Sequence, residues 1–351
     1  MAVELTDYLM DLLDQPESLR QAAAGFDPGL LLPLQARLAG GEFERLILTG
    51  MGASLYAAYP AWLALVQAGL PAYWLDGGEL LHSASRLATR RSLLWIVSNS
   101  GRSIEVAQLL DRLGGESAPA ILAVTRDPAS PVGQRADCVL PLNTADDRTP
   151  LAQCSYTASL AVCQLVARQL AGGDLAGGRA DLLATAEGMQ AYLAGWENRL
   201  AGMAGLLGQV ERLGIIGRGA SYATALEGAL IFKEGAKLSV EGQTSGQFWH
   251  GPVELVDERY TLLALGGPAE TQAEQAALAQ RAAGLGARVL WLGEAALSGG
   301  LPWVELPAWR GIGLPQAEIV PLQLLTFLVG QQTGFQPGEF RYLTHSLSTK
   351  I

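Results

Sequence analysis

Glu44-Arg45-Leu46-Ile47-Leu48-Thr49-Gly50-Met51-Gly52-Ala53-Ser54 recurs 167 residues later as Glu211-Arg212-Leu213-Gly214-Ile215-Ile216-Gly217-Arg218-Gly219-Ala220-Ser221, with seven of eleven positions identical. The match continues at an offset of 168, where Gly78-Glu79-Leu80-Leu81-His82 meets Gly246-Gln247-Phe248-Trp249-His250. A period this long marks two whole domains rather than a solenoid of short repeats. The copies part after the next apolar strand. The first reads Ser98-Asn99-Ser100-Gly101-Arg102-Ser103, and the second reads Leu265-Gly266-Gly267-Pro268-Ala269-Glu270, without hydroxyls. One copy keeps an anion cradle; the other has diverged.

From Leu46 onward the pattern repeats an apolar strand, a Gly-rich turn and a helix. Strands are expected at Leu46–Thr49, Leu93–Val97, Ala120–Val124 and Cys138–Leu142. The second copy repeats them at Leu213–Ile216, Thr261–Leu265, Arg288–Leu292 and Trp303–Leu306. Strands apolar on both faces belong to a parallel sheet covered by helices, so the fold class is α/β. Residues 1–35 read as an N-terminal helical segment of one or two helices, with Gln15-Pro16-Glu17-Ser18 as a break and fresh helix start. One copy occupies 36–175 and the other 200–341, with 342–351 as a C-terminal tail. One long helical stretch, about Leu170 to Leu207, joins the copies and holds the domain boundary.

At 351 residues and 49% hydrophobic content, the chain has material for two packed cores. The sequence shows no apolar run of bilayer length and no basic leader at Met1-Ala2-Val3-Glu4, so neither a membrane nor a secretory route is expected. The cytoplasm is the expected compartment. Cys138, Cys154 and Cys163 are odd in number and lack zinc spacing, which argues against a disulfide framework or a structural metal. A net charge of −10 argues against nucleic acid as a partner, because phosphate-backbone binding needs a basic face. A small anionic ligand remains open through local donors. Only Lys233, Lys237 and Lys350 are lysines among 24 basic residues, and two of them flank Glu234.

Ser98-Asn99-Ser100-Gly101-Arg102-Ser103 follows a buried strand and opens a helix. Exposed N–H groups, the helix dipole and three hydroxyls suit a phosphate there, and an ordinary N-cap with a solvated turn is the other reading. Gly50-Met51-Gly52-Ala53-Ser54 has the same grammar, serving either tight strand–helix packing or a ligand edge of the sheet. Glu227 and Glu234 lie seven apart on one helix and share a face. A Glu beside Lys is either a solvated helix surface or a working acid. Of the three histidines, His250 sits in an aromatic-rich turn suited to acid–base work, His345 lies near the C-terminus, and His82 reads as structural.

These segments resemble the sugar isomerase (SIS) domain family, most of all the isomerase half of glucosamine-6-phosphate synthase. The resemblance rests on Gly52-Ala53-Ser54, Ser98-Asn99-Ser100-Gly101, Gly217-Arg218-Gly219, Ala225-Leu226-Glu227-Gly228-Ala229-Leu230, Lys233-Glu234, Glu241 and His250-Gly251-Pro252, over nearly the whole chain. It implies two tandem SIS domains, each a flavodoxin-like three-layer α/β/α unit. It implies that Ser98, Asn99, Ser100 and Ser103 hold a sugar phosphate with Ser54 and Ala53 beside them. Leu151, Gln153 and Thr344 would touch the sugar. Glu234 would move a proton between C1 and C2, and His250, reaching in from the other subunit of a homodimer, would open the ring. No metal and no organic cofactor are required. The synthase's glutamine-hydrolysing domain has no counterpart here, so glutamine-dependent amination is not expected.

Two departures stand out. The lysine that the synthase carries three residues before its base is Ile231, and the lysine that forms a Schiff base with the ketose is His345. Imidazole cannot form that iminium, though it can donate a proton to a carbonyl. The expected activity is therefore a phosphosugar isomerase or aminosugar-6-phosphate deaminase working through an enediol or enolamine. A fructosamine-type deglycase and a non-catalytic sugar-phosphate-binding regulator are the alternatives.

Overall fold

The computed structural model describes residues 3–115 and 118–342. The first copy contains α1 (Asp7–Gly25), α2 (Leu32–Ala39), β1 (Arg45–Gly50), α3 (Ala53–Gln67), β2 (Ala72–Asp76), α4 (Gly77–His82), β3 (Ser92–Val97), α5 (Ile104–Arg112), β4 (Ala120–Thr125), β5 (Cys138–Pro141) and α6 (Cys154–Leu170). After it come α7 (Leu175–Leu193), α8 (Trp196–Leu207), β6 (Arg212–Gly217), α9 (Ser221–Ala236), β7 (Val240–Thr244), α10 (Ser245–Trp249), β8 (Tyr260–Leu265), α11 (Ala269–Gly284), β9 (Arg288–Gly293), β10 (Trp303–Glu305) and α12 (Leu314–Thr333). Glu17–Asp147 with Ala152–Leu183 form one compact unit, the first module. Ala184–Arg341, Arg148–Leu151 and the residues up to Pro16 form the second module.

Each module is built on a parallel five-stranded sheet, in the order β2-β1-β3-β4-β5 in the first and β10-β9-β8-β6-β7 in the second. Read from its other edge, the second order is the first moved on by one repeat. The expected strands are all present. The edge strands β2 and β7 are additions: β7, Val240-Glu241-Gly242-Gln243-Thr244, has no apolar run, and β2 carries the short run Ala72-Tyr73-Trp74-Leu75 on a strand that is not sealed. Every residue of β3, β4 and β8 is buried, whereas β2 has none buried and β7 only Val240. A strand at a sheet edge with one covered face need not carry a continuous hydrophobic signal.

Three local expectations are corrected. Gln15-Pro16 does not interrupt the N-terminal helix, since α1 runs unbroken from Asp7 to Gly25 with Pro16 inside it. An interior proline costs about 3 kcal/mol. Leu9, Leu12 and Leu19 on that helix are fully buried, and each such side chain contributes about 1.5–3 kcal/mol, so burial wins. The stretch from Leu170 to Leu207 is two helices rather than one. Gly172, at φ 71, and Gly173 end α6, and Asp174 then accepts from the Gly177 N–H at 2.9 Å as α7 begins. Gly195 separates α7 from α8, with the Arg199 guanidinium 3.8 Å from the centre of the Tyr192 ring across that joint.

The third correction concerns membrane-length apolar runs. The segment Gly311–Thr333 is long and apolar enough to cross a bilayer, but 94% of its apolar window is buried inside the protein. It is the central helix of the second module, packed on α9 much as α6 packs on α3 in the first.

The N-terminal segment is held to the second module by polar contacts in a dry setting. Tyr8 Oη donates to the Gln323 carbonyl at 2.8 Å, and Gln15 Nε2 donates to Gln323 Oε1 at 2.6 Å. Fully buried Asp11 accepts from the Arg148 N–H at 3.0 Å, the Thr149 N–H at 3.0 Å and the Thr149 hydroxyl at 3.2 Å. Asp11→Ala leaves these donors without an acceptor, each at a cost of about 1–3 kcal/mol. A urea titration is expected to show the second module unfolding at a clearly lower midpoint in this variant, and an unchanged midpoint would refute the clamp.

Candidate functional site

The chain leaves β1 toward β2 on one side and returns through β3 on the other, so the loops after β1 and β3 flank the switch point of the first sheet. That crevice at the carboxyl end of the strands is where open α/β sheets take ligands. Gly50 closes β1 because a Cβ there would stand 2.8 Å from the Val97 carbonyl oxygen. Gly52 turns the chain at φ 53, and its repeat-mate Gly219 does so at φ 59, a left-handed conformation that glycine adopts without strain. Ala53 and Ser54 start α3 from this turn.

Across the switch point, Ser98 is buried and its hydroxyl faces that of Ser103 at 3.4 Å. The Ser100 hydroxyl accepts from the Arg102 N–H at 3.2 Å. The Asn99 carbonyl is fastened by the Arg126 N–H at 3.0 Å and the Thr125 hydroxyl at 3.1 Å, which ties the loop to the end of β4. Two features leave this loop ready for a ligand. Asn99 Oδ1 is buried without a hydrogen-bond partner, and Ser103, the N-cap of α5, makes no side-chain capping bond. The first N–H groups of α5 are thus not capped by the Ser103 side chain. Arg102 is engaged at 2.8 Å with Asp127, so the donors here are neutral.

The start of α6 is different. Asp147 accepts from the Cys154 N–H at 2.7 Å, the Gln153 N–H at 3.2 Å and the Ser155 N–H at 3.3 Å, and also from the Ser155 hydroxyl. That helix end is already satisfied by a carboxylate of its own module. Gln153 is completely buried there, and Leu151, which groups with the second module, is completely buried as well.

In the second module α9 carries both glutamates. Glu227 is 1% exposed, and Glu234 is partly buried near the C-terminal end of the helix. Burial pushes the Glu234 carboxyl up to about 7, against the opposing pull of Lys237 and then Lys233. Lys237 ends the helix in a left-handed conformation, φ 54, and its ammonium donates to the Glu234 carbonyl and, at 2.6 Å, to the Glu339 carbonyl. Burial, helped by Arg341, lowers the Lys237 pKa. His250 follows α10 with its side chain exposed, and His82 is exposed at the end of α4. Ile231 is a core residue, 1% exposed. Thr344 and His345 lie outside the described residues. Among the described residues no group of three or more His, Cys, Asp or Glu side chains is arranged to hold a metal ion.

Sequence reasoning passed over Glu318. It is fully buried on α12, and its carboxyl is pushed up to about 7 by burial, against the hydroxyls of Ser221 at 2.7 Å and Thr224 at 3.0 Å and the Gly267 N–H. A single acid within the apolar run from Leu314 to Leu328 was the available signal.

The SIS domain family matches residues 42–169 and 206–298, one stretch in each copy. The chain is 25% identical over 348 residues to a glutamine–fructose-6-phosphate aminotransferase (isomerizing) of Pyrococcus horikoshii, a match covering 97% of this chain and 57% of that protein. A protein of the same description from Arabidopsis thaliana is 26% identical over 363 residues, covering 97% of this chain and 53% of its own length. The chain thus spans about half the length of the curated relatives it matches. Among solved structures, the C-terminal domain of glucosamine-fructose-6-phosphate aminotransferase from Francisella tularensis superposes with a TM-score of 0.83 at 19% identity, covering 96% of this chain and 99% of that one. Glucosamine-6-phosphate deaminase from Thermotoga maritima does so with a TM-score of 0.76 at 17% identity, covering 97% and 99% of the two chains. These structures share the fold.

Glu318 gives the protein a pH signature. An acid with a folded pKa near 7 and an ordinary value of 4.5 keeps in the folded state a proton that the unfolded chain has released. The contribution of Glu318 to stability is then greatest below about pH 4.5 and is lost as pH rises through 7, by up to about 3 kcal/mol for a shift of this size. Glu318→Gln is expected to remove that contribution. Thermal melts should show the variant gaining on the wild type between pH 5 and pH 8; parallel pH profiles would contradict the assignment.

Proposed function

This chain belongs to the SIS domain family, and from that premise we propose that it is a phosphosugar isomerase or aminosugar-6-phosphate deaminase acting on a hexose or hexosamine 6-phosphate. The observation that carries the reading is Glu234, a carboxyl raised to about 7 by burial near the C-terminal end of α9. A general base works best when its pKa lies near the operating pH, because it is then both ionised and basic enough to take a carbon-bound proton.

In this reading the Ser98–Ser103 loop, with Ala53 and Ser54, holds the phosphate. His250 moves the proton that opens the sugar ring. Glu234 then takes the proton from C2 of the open aldose, leaving an enediol, and returns it to C1 to give the ketose. With an amino group on C2 the intermediate is an enolamine, and reprotonation at C1 yields an imine that water hydrolyses to the ketose and ammonia. The neutral donors of the loop and the uncapped start of α5 support the phosphate assignment. The exposure of His250 supports its service to the site of a second copy in a homodimer. Leu151 and Gln153, both buried, are the residues that touch the sugar in this reading.

A second reading, a non-catalytic sugar-phosphate binder, is favoured by one specific observation. Where the synthase carries a lysine before its base, this chain has Ile231 packed in the core. Calorimetry that shows phosphosugar binding, with no conversion over hours, would select it.

A coupled assay over hexose and hexosamine 6-phosphates is expected to show turnover that Glu234→Gln lowers by about 10²–10⁴-fold. The acid limb of the wild-type rate should be half-maximal near pH 7, since Glu234 must be ionised to act. Turnover on none of these sugars would sink catalysis, and turnover indifferent to Glu234→Gln would sink the assigned base. Mixing Glu234→Gln with His250→Ala protein tests the shared site. Each inactive alone, they should regain roughly a quarter of wild-type activity after random re-association, because about half of the dimers are then mixed and one of the two sites in each inherits both intact groups; no recovery in verified mixed dimers would rule out His250 acting across the interface.

A further inference from the structure

The second sheet has a switch point of its own, between β6 and β8, and what stands in it is not solvent or an open row of donors. The loops there are the repeat-mates of those that form the first module's cradle. Ser221 corresponds to Ser54 at the offset of 167, and Gly267 corresponds to Asn99 at the offset of 168. The two loops approach closely, since a Cβ on Gly267, at φ 71, would lie 3.8 Å from the Ser221 hydroxyl and 3.8 Å from the Arg218 carbonyl oxygen. Between them sits the Glu318 carboxyl. Ser221 Oγ donates to Oε1 at 2.7 Å, Thr224 Oγ1 donates to Oε2 at 3.0 Å, and the Gly267 N–H adds a third donor. The side chain is wholly inaccessible to solvent.

We propose that Glu318 is a built-in anion that fills the second module's counterpart of the phosphate cradle, so that each chain takes up phosphate in its first module alone. Two hydroxyls and a backbone N–H converging on a pair of oxygens are the donor set that an oxyanion requires at such a crevice. Among the described residues no ion pair reaches Glu318, and the Arg218 guanidinium is paired with Glu274 at 2.9 Å. Among the described residues the first module shows no equivalent plug. Its helix α6, which packs on α3 as α12 packs on α9, has no acidic residue between Cys154 and Leu170. The loss of the serines in Gly266-Gly267-Pro268 and the gain of an acid on α12 are therefore two halves of one change: the crevice stopped receiving an anion from solution and acquired one from its own chain.

The inference rests on the reading of the Ser98–Ser103 loop as a phosphate site only for the count of one per chain; the plugging of the second crevice is tested separately. Equilibrium dialysis with inorganic phosphate at pH 8, above the titration of Glu318 near 7, is the experiment. Wild-type protein is expected to bind one phosphate per chain, lost in Ser100→Ala and retained in Ser221→Ala. Glu318→Ala opens the crevice and should bind one phosphate more than wild type, with that extra site surviving Ser100→Ala and disappearing when Ser221→Ala is added. Folded Glu318→Ala protein with no added phosphate overturns the proposal. So does wild-type protein that loses a phosphate on Ser221→Ala, a measurement that holds even if Glu318→Ala does not fold. Wild-type protein that binds none refutes the first-module reading, while a site gained by Glu318→Ala would still uphold the plug.

Discussion

The structure depends on the requirement that the inner strands of a parallel sheet with helices on both faces be apolar on both sides. Once β3, β4 and β8 are sealed in this way, no polar group can be stationed within a sheet without an unpaid desolvation cost of several kcal/mol. Polar chemistry is driven to the carboxyl edges of the strands. There the chain turns away in opposite directions on the two sides of β1 and of β6, and the helices that follow present unpaired N–H groups. Both modules inherit the same crevice from the same constraint.

What differs is how each crevice satisfies its donors. In the first module the serine hydroxyls bond mainly to one another and to their own loop, at 3.2–3.4 Å, and α5 begins without a side-chain cap. Such donors have more to gain from an incoming anion than donors already engaged with a carboxylate. In the second module the donors are engaged with Glu318 at 2.7 and 3.0 Å. The same logic appears at the start of α6, where Asp147 satisfies three successive N–H groups. Internal carboxylates thus engage the donors at the start of α6 and at the crevice of the second sheet.

Burial also divides the acids by task. Glu318 and Glu234 are both pushed up to about 7, and burial is the leading cause in each. Glu318 has its oxygens met by hydroxyls and an N–H inside the protein, whereas Glu234 is only partly buried and is opposed by the charges of Lys237 and Lys233. A carboxyl that is raised yet reachable can exchange protons with a ligand; one that is raised and sealed can only report pH through stability.

The amino-acid sequence by itself determined the duplication, the α/β class and most of the strands, because identical turns at a fixed offset and continuous apolar runs are local signals of a global pattern. It also determined the SIS resemblance and the residues that carry it, since these lie in contiguous segments around Ser54, Ser98, Glu234 and His250. Other features were decided by tertiary packing. The edge strand β7 has no apolar run of its own, and α1 passes through Pro16 because buried leucines outweigh one lost hydrogen bond. Glu318 belongs with Ser221 only after α12 has packed on α9, across 97 residues of chain. An acid in an apolar run shows that something polar must meet it; which hydroxyls do so is settled by the approach of elements far apart in sequence, where no local pattern can carry the information.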